Sequence, residues 1–274
     1  MMREIIVGID FSNGSLAALR LACDIANRVH ADVRMIWVKK KFADEESAEK
    51  QLKKLAEEYG HKLKETKIDF VIREGKVFRA ISTLALEDGA DLVVVGTHGE
   101  GGFEEKFAGG NTYKTAVDSP VPVLMVRENF NFDKPLERLV MPIDSSVNTR
   151  QKVPWTIAFA KMFPHCKIHV LGIFSTKIKS IRFEVQRYVQ SVEKLLKKAD
   201  IPYVVDFVEK ENLTIGTIEY SQKINADLIV IMSEQEKTLS NMFFFGPFAQ
   251  QMINQSPVPV LVIQPVEINA SVAK

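Results

Sequence analysis

The stretch Asp91-Leu92-Val93-Val94-Val95-Gly96-Thr97-His98-Gly99, followed by Gly101, Gly102, Gly109 and Gly110, decides the fold. A run of four apolar residues bounded by Asp and Gly reads as a short strand covered on both faces, as in a parallel sheet. Six glycines then crowd into residues 96–110, whereas only Gly172, Gly216 and Gly246 of the chain's fourteen come later. Lacking Cβ atoms, backbone there can approach a ligand closely, and N–H groups at a following helix start favour an anion. The pattern is strand, phosphate-holding loop, helix, present once and in the first half.

Outward from this stretch, the chain repeats itself. Ile5-Ile6-Val7-Gly8-Ile9-Asp10-Phe11-Ser12 matches Leu139-Val140-Met141-Pro142-Ile143-Asp144-Ser145-Ser146. Asp91-Leu92-Val93-Val94-Val95 matches Asp227-Leu228-Ile229-Val230-Ile231, and Ser119-Pro120-Val121-Pro122-Val123-Leu124 matches Ser256-Pro257-Val258-Pro259-Val260-Leu261. The displacements (10 to 144, 91 to 227, 122 to 259) are nearly constant, the mark of a tandem duplication. They put the boundary near Glu128–Pro135 and two domains over 1–130 and 136–266.

Within each copy, β-rich apolar runs alternate with helical patterns, which predicts a parallel sheet with helices on both faces. Copy one predicts strands near 3–9, 32–38, 66–72, 91–96 and 121–126, and helices near 14–29, 45–60, 77–88 and 109–118. The first helix carries Leu16, Leu19, Ala22, Cys23 and Ala26 at three- and four-residue spacing, an apolar stripe for the sheet. Copy two predicts strands near 138–143, 167–173, 202–208, 227–232 and 258–263, with a long Lys- and Glu-rich helix near 179–199.

The bulk properties narrow the functional classes. A net charge of +1 gives no general attraction to nucleic acid or anionic membrane, and apolar runs fall far short of the ~18 residues of a membrane span. A strand pattern begins at Glu4, so no signal peptide is expected ahead of it. The two cysteines, Cys23 and Cys166, have no metal-ligand spacing and read as reduced thiols of a cytoplasmic protein.

With these motifs in place, both halves resemble the universal stress protein family over nearly the whole chain. In that family's ATP-binding branch the loop runs Gly, two residues, Gly, nine residues, Gly, then a small hydroxyl residue; Gly96, Gly99 and Gly109 reproduce the spacing. The early strand ending in Asp10 and the Ser-Pro-x-Pro-Val-Leu segment before the last strand also match. The resemblance implies two tandem five-stranded, Rossmann-like domains of the adenine nucleotide alpha hydrolase type, paired through their last strands as an internal pseudo-dimer. It implies an adenine nucleotide (ATP, ADP or AMP) with Mg²⁺, and a regulatory or stress-tolerance role.

By the same resemblance, backbone around Ile9 and Val38 would hold the adenine, with Val95 a further nucleotide-binding residue. Asp10 would sit by the ribose or a metal ion, and Gly96, Gly99, Gly109, Gly110, Asn111 and Thr112 would wrap the phosphates. Each residue also has a plainer reading: Asp10 as a helix cap, Val38 as core, the glycines as a flexible loop, His98 as a solvent-facing loop residue. Two departures stand out. Gly110 replaces the family's hydroxyl residue, with Thr112 close enough to substitute, and Glu100, Glu104 and Glu105 outnumber Lys106 in the loop.

Copy two lacks the loop. Met232 and Gln235 stand where Gly96 and Gly99 would align, only Gly246 survives for Gly109, and Met242-Phe243-Phe244-Phe245 precedes it. Copy two is therefore expected not to bind ATP in the family manner, its aromatic block serving as core, domain contact or partner surface. No Ser-His-Asp grouping, metal cluster or P-loop lysine argues for high-turnover catalysis, leaving at most slow ATP hydrolysis. The rival reading is a nucleotide-independent interaction scaffold of the same fold with an unidentified protein partner. Further self-association stays open.

Overall fold

The computed structural model describes residues 2–39, 44–97, 111–130, 134–233, 235–237, 243–245 and 247–265. The first half runs β1 (Glu4–Ile9), α1 (Asn13–Val29), β2 (Asp32–Lys39), α2 (Glu45–Gly60), β3 (Ile68–Glu74), α3 (Val77–Glu87), β4 (Leu92–Thr97), α4 (Asn111–Asp118) and β5 (Val123–Arg127). The second half begins β6 (Arg138–Ile143), a 3-10 turn (Val147–Arg150), α5 (Val153–Ala160), β7 (Lys167–Phe174), α6 (Lys179–Lys198) and β8 (Tyr203–Glu209). It continues α7 (Leu213–Lys223), β9 (Leu228–Met232), β10 (Gln235–Lys237), β11 (Phe243–Phe245), α8 (Pro247–Gln255) and β12 (Val260–Ile263).

Ten strands form one sheet in the order β3-β2-β1-β4-β5-β12-β9-β6-β7-β8, so each half repeats the order 3-2-1-4-5. Within this sheet, all pairings inside each half are parallel. The halves join where β5 and β12 run antiparallel, with Leu124 opposite Leu261. The two last strands therefore pair as expected, and the joined sheet leaves β3 and β8 as its edges.

Successive residues of β1 alternate between the faces. Ile5 and Val7 pack with α1 residues such as Leu19, Ala22 and Ile25, while Ile6 joins Ile81 and Leu84 of α3 on the other side. This two-sided burial is why the strands read as continuous apolar runs. The helix ends follow from local chemistry. The Ser12 side chain accepts from Ser15 N at the start of α1, Asp44 from Ser47 N at α2, and Asn212 from Ile215 N at α7.

The repeated motifs turn out to be structural clamps, each built twice. Asp91 Oδ2 accepts from Arg3 N (2.6 Å) and Glu4 N, tying the start of β4 to that of β1; Asp227 Oδ2 does the same with Glu137 N and Arg138 N. The Ser119 hydroxyl donates to Val121 O at 2.7 Å and accepts from Val121 N at 3.3 Å, closing the turn into β5 across Pro120. Ser256 and Val258 repeat both bonds at the same distances ahead of β12.

Where the halves differ, side-chain volume is the cause. Trp37 of β2 lies opposite Ile72 of β3; at the equivalent place Gly172 lies opposite Phe207, whose ring fills the space over the glycine and stacks on Phe174 at 5.2 Å. The β10–β11 hairpin, pairing Glu236 with Phe244, has no counterpart in the sequence reading and puts Phe243–Phe245 in a strand.

Candidate functional site

The strand order reverses between β1 and β4, which are hydrogen-bonded neighbours (Val7 opposite Val94). In open parallel sheets ligands lie beyond the carboxyl ends of the strands at such a reversal. Asp10-Phe11-Ser12 leaves β1 there, and Gly96-Thr97 ends β4 there.

The Asp10 carboxylate is held by the turn it starts. Its Oδ1 accepts from Ser12 N at 3.0 Å and Ser12 Oγ at 2.5 Å, while Asp10 N donates to Ser15 Oγ. The cap of α1 is Ser12, not Asp10; Asp10 orients the capping residue and stays exposed at the strand end. Phe11 between them has φ 64°, a left-handed conformation that a bulky residue adopts only under constraint. Its ring lies 6.4 Å from that of Trp37.

Ile9, Val38 and Val95 are buried, so their side chains belong to the core and only their backbone could meet a ligand. At Val38 the backbone edge toward β1 has no β1 partner, while the other edge pairs with Arg73 of β3. The β1–β2 register ends at Ile9 opposite Trp37, so one step further β2 has left β1 behind. Nearby Lys39 is engaged by Glu45 at 2.6 Å and by Glu74 at 3.7 Å.

Gly96 has a packing cause of its own. A Cβ there would lie 2.2 Å from the Gly14 carbonyl carbon and 2.6 Å from Ser15 N; a Cβ on Gly14 would lie 2.9 Å from Thr97 O. The first turn of α1 thus sits directly on the end of β4, and neither glycine can be replaced without moving backbone. Of the remaining expected phosphate contacts, Gly99, Gly109 and Gly110 fall outside the described residues, as does His98. Asn111 and Thr112 open α4 and so stand at a helix N-terminus; its described start is Asn111 rather than 109.

The second half keeps the turn and closes the space. Asp144 Oδ1 accepts from Ser146 N (3.1 Å) and Ser146 Oγ (2.7 Å), and Asp144 N donates to Thr149 Oγ1. Asn148 and Met232, however, take the places of Gly14 and Gly96. With side chains on both backbones the helix cannot dock as α1 does: the first turn is 3-10 and α5 starts only at Val153. Lys152 stands where copy one has Ala18, fully buried, its Nζ donating to Thr149 O at 2.6 Å and Thr149 Oγ1 at 3.2 Å. The cavity left among Asp144, Ser146, Thr149, Lys152, Met232 and Phe248 is about 10 Å³, room for one water.

Sequence reasoning missed two features here: the Gly14–Gly96 contact, signalled by a glycine in the first turn of an otherwise good helix, and the buried Lys152, signalled by a lysine inside an apolar stripe. Among the described residues no group of three or more His, Cys, Asp or Glu could hold a metal ion. No helix among them is long and apolar enough to cross a membrane. Burial pushes the thiols of Cys23 and Cys166 up to about 12, so both stay protonated.

Comparison with known proteins gives the same picture of the fold. The model of the universal stress protein family matches twice, over residues 1–127 and 135–264. A universal stress protein of Methanocaldococcus jannaschii is 29% identical over 147 residues, 47% of this chain and 84% of that protein. Two solved structures share the fold across both halves. A universal stress protein from Archaeoglobus fulgidus has a TM-score of 0.76 at 18% identity, covering 95% of this chain and 98% of its own. A functionally unknown protein from Pseudomonas aeruginosa has a TM-score of 0.69 at 18% identity, covering 96% and 93%.

Proposed function

The chain belongs to the universal stress protein family, and from that premise we propose that it binds one adenine nucleotide, in the crevice between β1 and β4 of its first half. The observation that carries this reading is the contrast between two copies of one turn. Asp10–Ser12 stands beside Gly14 and Gly96, which carry no side chain, whereas Asp144–Ser146, with the same Asp–Ser bonds, faces a space filled by Met232 and Lys152. The residues of the first half suit such a ligand. The β1-facing edge of β2 at Val38, beyond its last pairing with β1, offers backbone to a base edge, Asp10 offers a fixed carboxylate to ribose hydroxyls, and the start of α4 offers N–H groups to phosphate.

A single carboxylate, half engaged by Ser12, is a poor magnesium site alone. Mg²⁺ would therefore arrive on the phosphates of the nucleotide, with Asp10 as at most one further oxygen. Among the described residues no oriented base and nucleophile accompany the cleft, and the role we propose is nucleotide-dependent regulation or stress tolerance in the cytoplasm, with hydrolysis at most slow. The second half serves as the structural mate of the first through the β5–β12 pairing. Titration calorimetry with ATP, ADP and AMP, with and without Mg²⁺, tests the reading. Binding near one nucleotide per chain supports it, and no heat for any of them transfers the search to protein partners.

A further inference from the structure

The net charge of +1 averages over an uneven surface. Along α6, Lys179, Phe183, Arg187, Lys194, Lys197 and Lys198 all fall within about 60° of Phe183 at 100° per residue, and all are exposed. The face is roughly 28 Å long and contains no carboxylate. The two acidic residues of the helix sit on its flanks and are engaged there: Glu184 Oε1 accepts from Arg187 Nη2 and Tyr188 Oη, each at 3.0 Å, and Glu193 Oε1 accepts from the Tyr203 hydroxyl at 3.3 Å. Val185, Tyr188, Val189, Val192 and Leu196 bury the opposite side against the sheet. Phe183 is left standing outward at 67% exposure, between Lys179 and Arg187 along the face.

We propose that this face of α6 docks on an anionic lipid bilayer. It is the exposed side of a single helix, and a flat, negatively charged surface can meet all five cations at once. An exposed phenylalanine amid lysines suits the interfacial zone of a bilayer, where its ring leaves water while the ammonium groups stay among the head groups. A solvated helix face ordinarily mixes both signs; here the mixing is confined to the flanks. Each basic residue near such a surface strengthens binding roughly fivefold at low salt, and screening removes the effect over a Debye length.

The test is co-sedimentation of the full-length protein with phosphatidylserine-containing vesicles and with pure phosphatidylcholine vesicles, at low and high salt. Binding to the anionic vesicles alone, abolished by salt, is expected. The Lys194→Glu/Lys197→Glu/Lys198→Glu variant should bind at least roughly a hundredfold more weakly. The Lys50→Glu/Lys53→Glu/Lys54→Glu variant on α2, with the same change in net charge, should bind as the parent does. Phe183→Ser, at an exposed site that leaves folding intact, should weaken vesicle binding while leaving retention on a polyanion such as poly-glutamate unchanged. Absence of binding to anionic vesicles, equal loss in the two triple variants, or tighter retention by poly-glutamate or duplex DNA than by vesicles would each overturn the proposal.

Discussion

Replacing Gly96 by alanine adds one methyl group, and the structure makes it costly. The new Cβ would stand 2.2 Å from the Gly14 carbonyl carbon, 2.4 Å from its oxygen and 2.6 Å from Ser15 N, all backbone atoms of the first turn of α1. No rotamer change can relieve a clash with backbone, so α1 must move away from β4. Overpacking in a close-packed core costs typically about 1–3 kcal/mol, and a backbone-only contact belongs at or above the upper end. Against the ~5–15 kcal/mol that holds a domain together, this is a large fraction. At roughly 2–4 °C per kcal/mol for a chain of this size, the midpoint of thermal unfolding should fall by about 6–12 °C. Gly60→Ala is the control: its Cβ would meet Ile68 Cγ2 at 3.5 Å, an ordinary contact, and helix propensity makes the change neutral or slightly stabilising. Urea unfolding gives the difference, provided the slope is unchanged. A Gly96→Ala protein within about 0.5 kcal/mol of the parent would refute the reasoning and return Gly96 to a role in ligand approach alone.

Other expected outcomes follow from single sites. Ser12→Ala removes both the cap of α1 and the hydroxyl that holds Asp10, and should cost about 1 kcal/mol in urea unfolding as well as weakening nucleotide binding. Ser146→Ala should leave nucleotide binding alone. His169 lies beneath α7, its Nδ1 at 3.0 Å from the Tyr220 hydroxyl, which donates in turn to Asp206 Oδ2. Burial, with Lys167 and Arg138 behind it and Asp206 opposing, lowers the His169 pKa below its ordinary 6.5. The neutral form is therefore favoured in the folded state, and its contribution to stability is present above pH 6.5 and lost as pH falls through the folded value. In His169→Asn the loss of stability on acidification should be shallower when followed by urea unfolding from pH 7.5 downward. Glu4 behaves with the opposite sign. Burial raises it to about 7, with Arg34 opposing and Asp88 and Asp69 adding, so its contribution is lost as pH rises through 7, and Glu4→Gln should be relatively more stable at pH 8 than at pH 5. An unchanged pH profile in either variant would contradict the corresponding account.

Much of this was legible because the same physics acts twice. The strands and helices of each half carry uninterrupted apolar runs or three-and-four spacing, and the displaced copies check one another, so the predicted bounds fall within a few residues of those observed. The joining of last strands came from the family resemblance rather than from the residues, since nothing in Val123–Arg127 or Val260–Ile263 alone says whether they pair with each other. What the sequence hid were contacts between segments distant along the chain. Gly96 read as a loop glycine because its partner, Gly14, lies on another element. Asp10 read as a candidate cap because Ser12, two residues on, performs that role. Lys152 was invisible because its burial depends on Asn148 and Met232 having lost the glycines that let α1 dock. The exposed cationic face of α6 was masked by Glu184 and Glu193, which the composition counts but the fold turns to the flanks.

The most direct test of the central claim is titration calorimetry of nucleotide-free protein with ATP, ADP and AMP beside a Gly99→Val/Gly109→Val variant. The account predicts saturable binding near one nucleotide per chain in the parent, with no second site, and loss of that binding in a variant that unfolds like the parent. A stoichiometry of two, or binding that survives both valines, would contradict it.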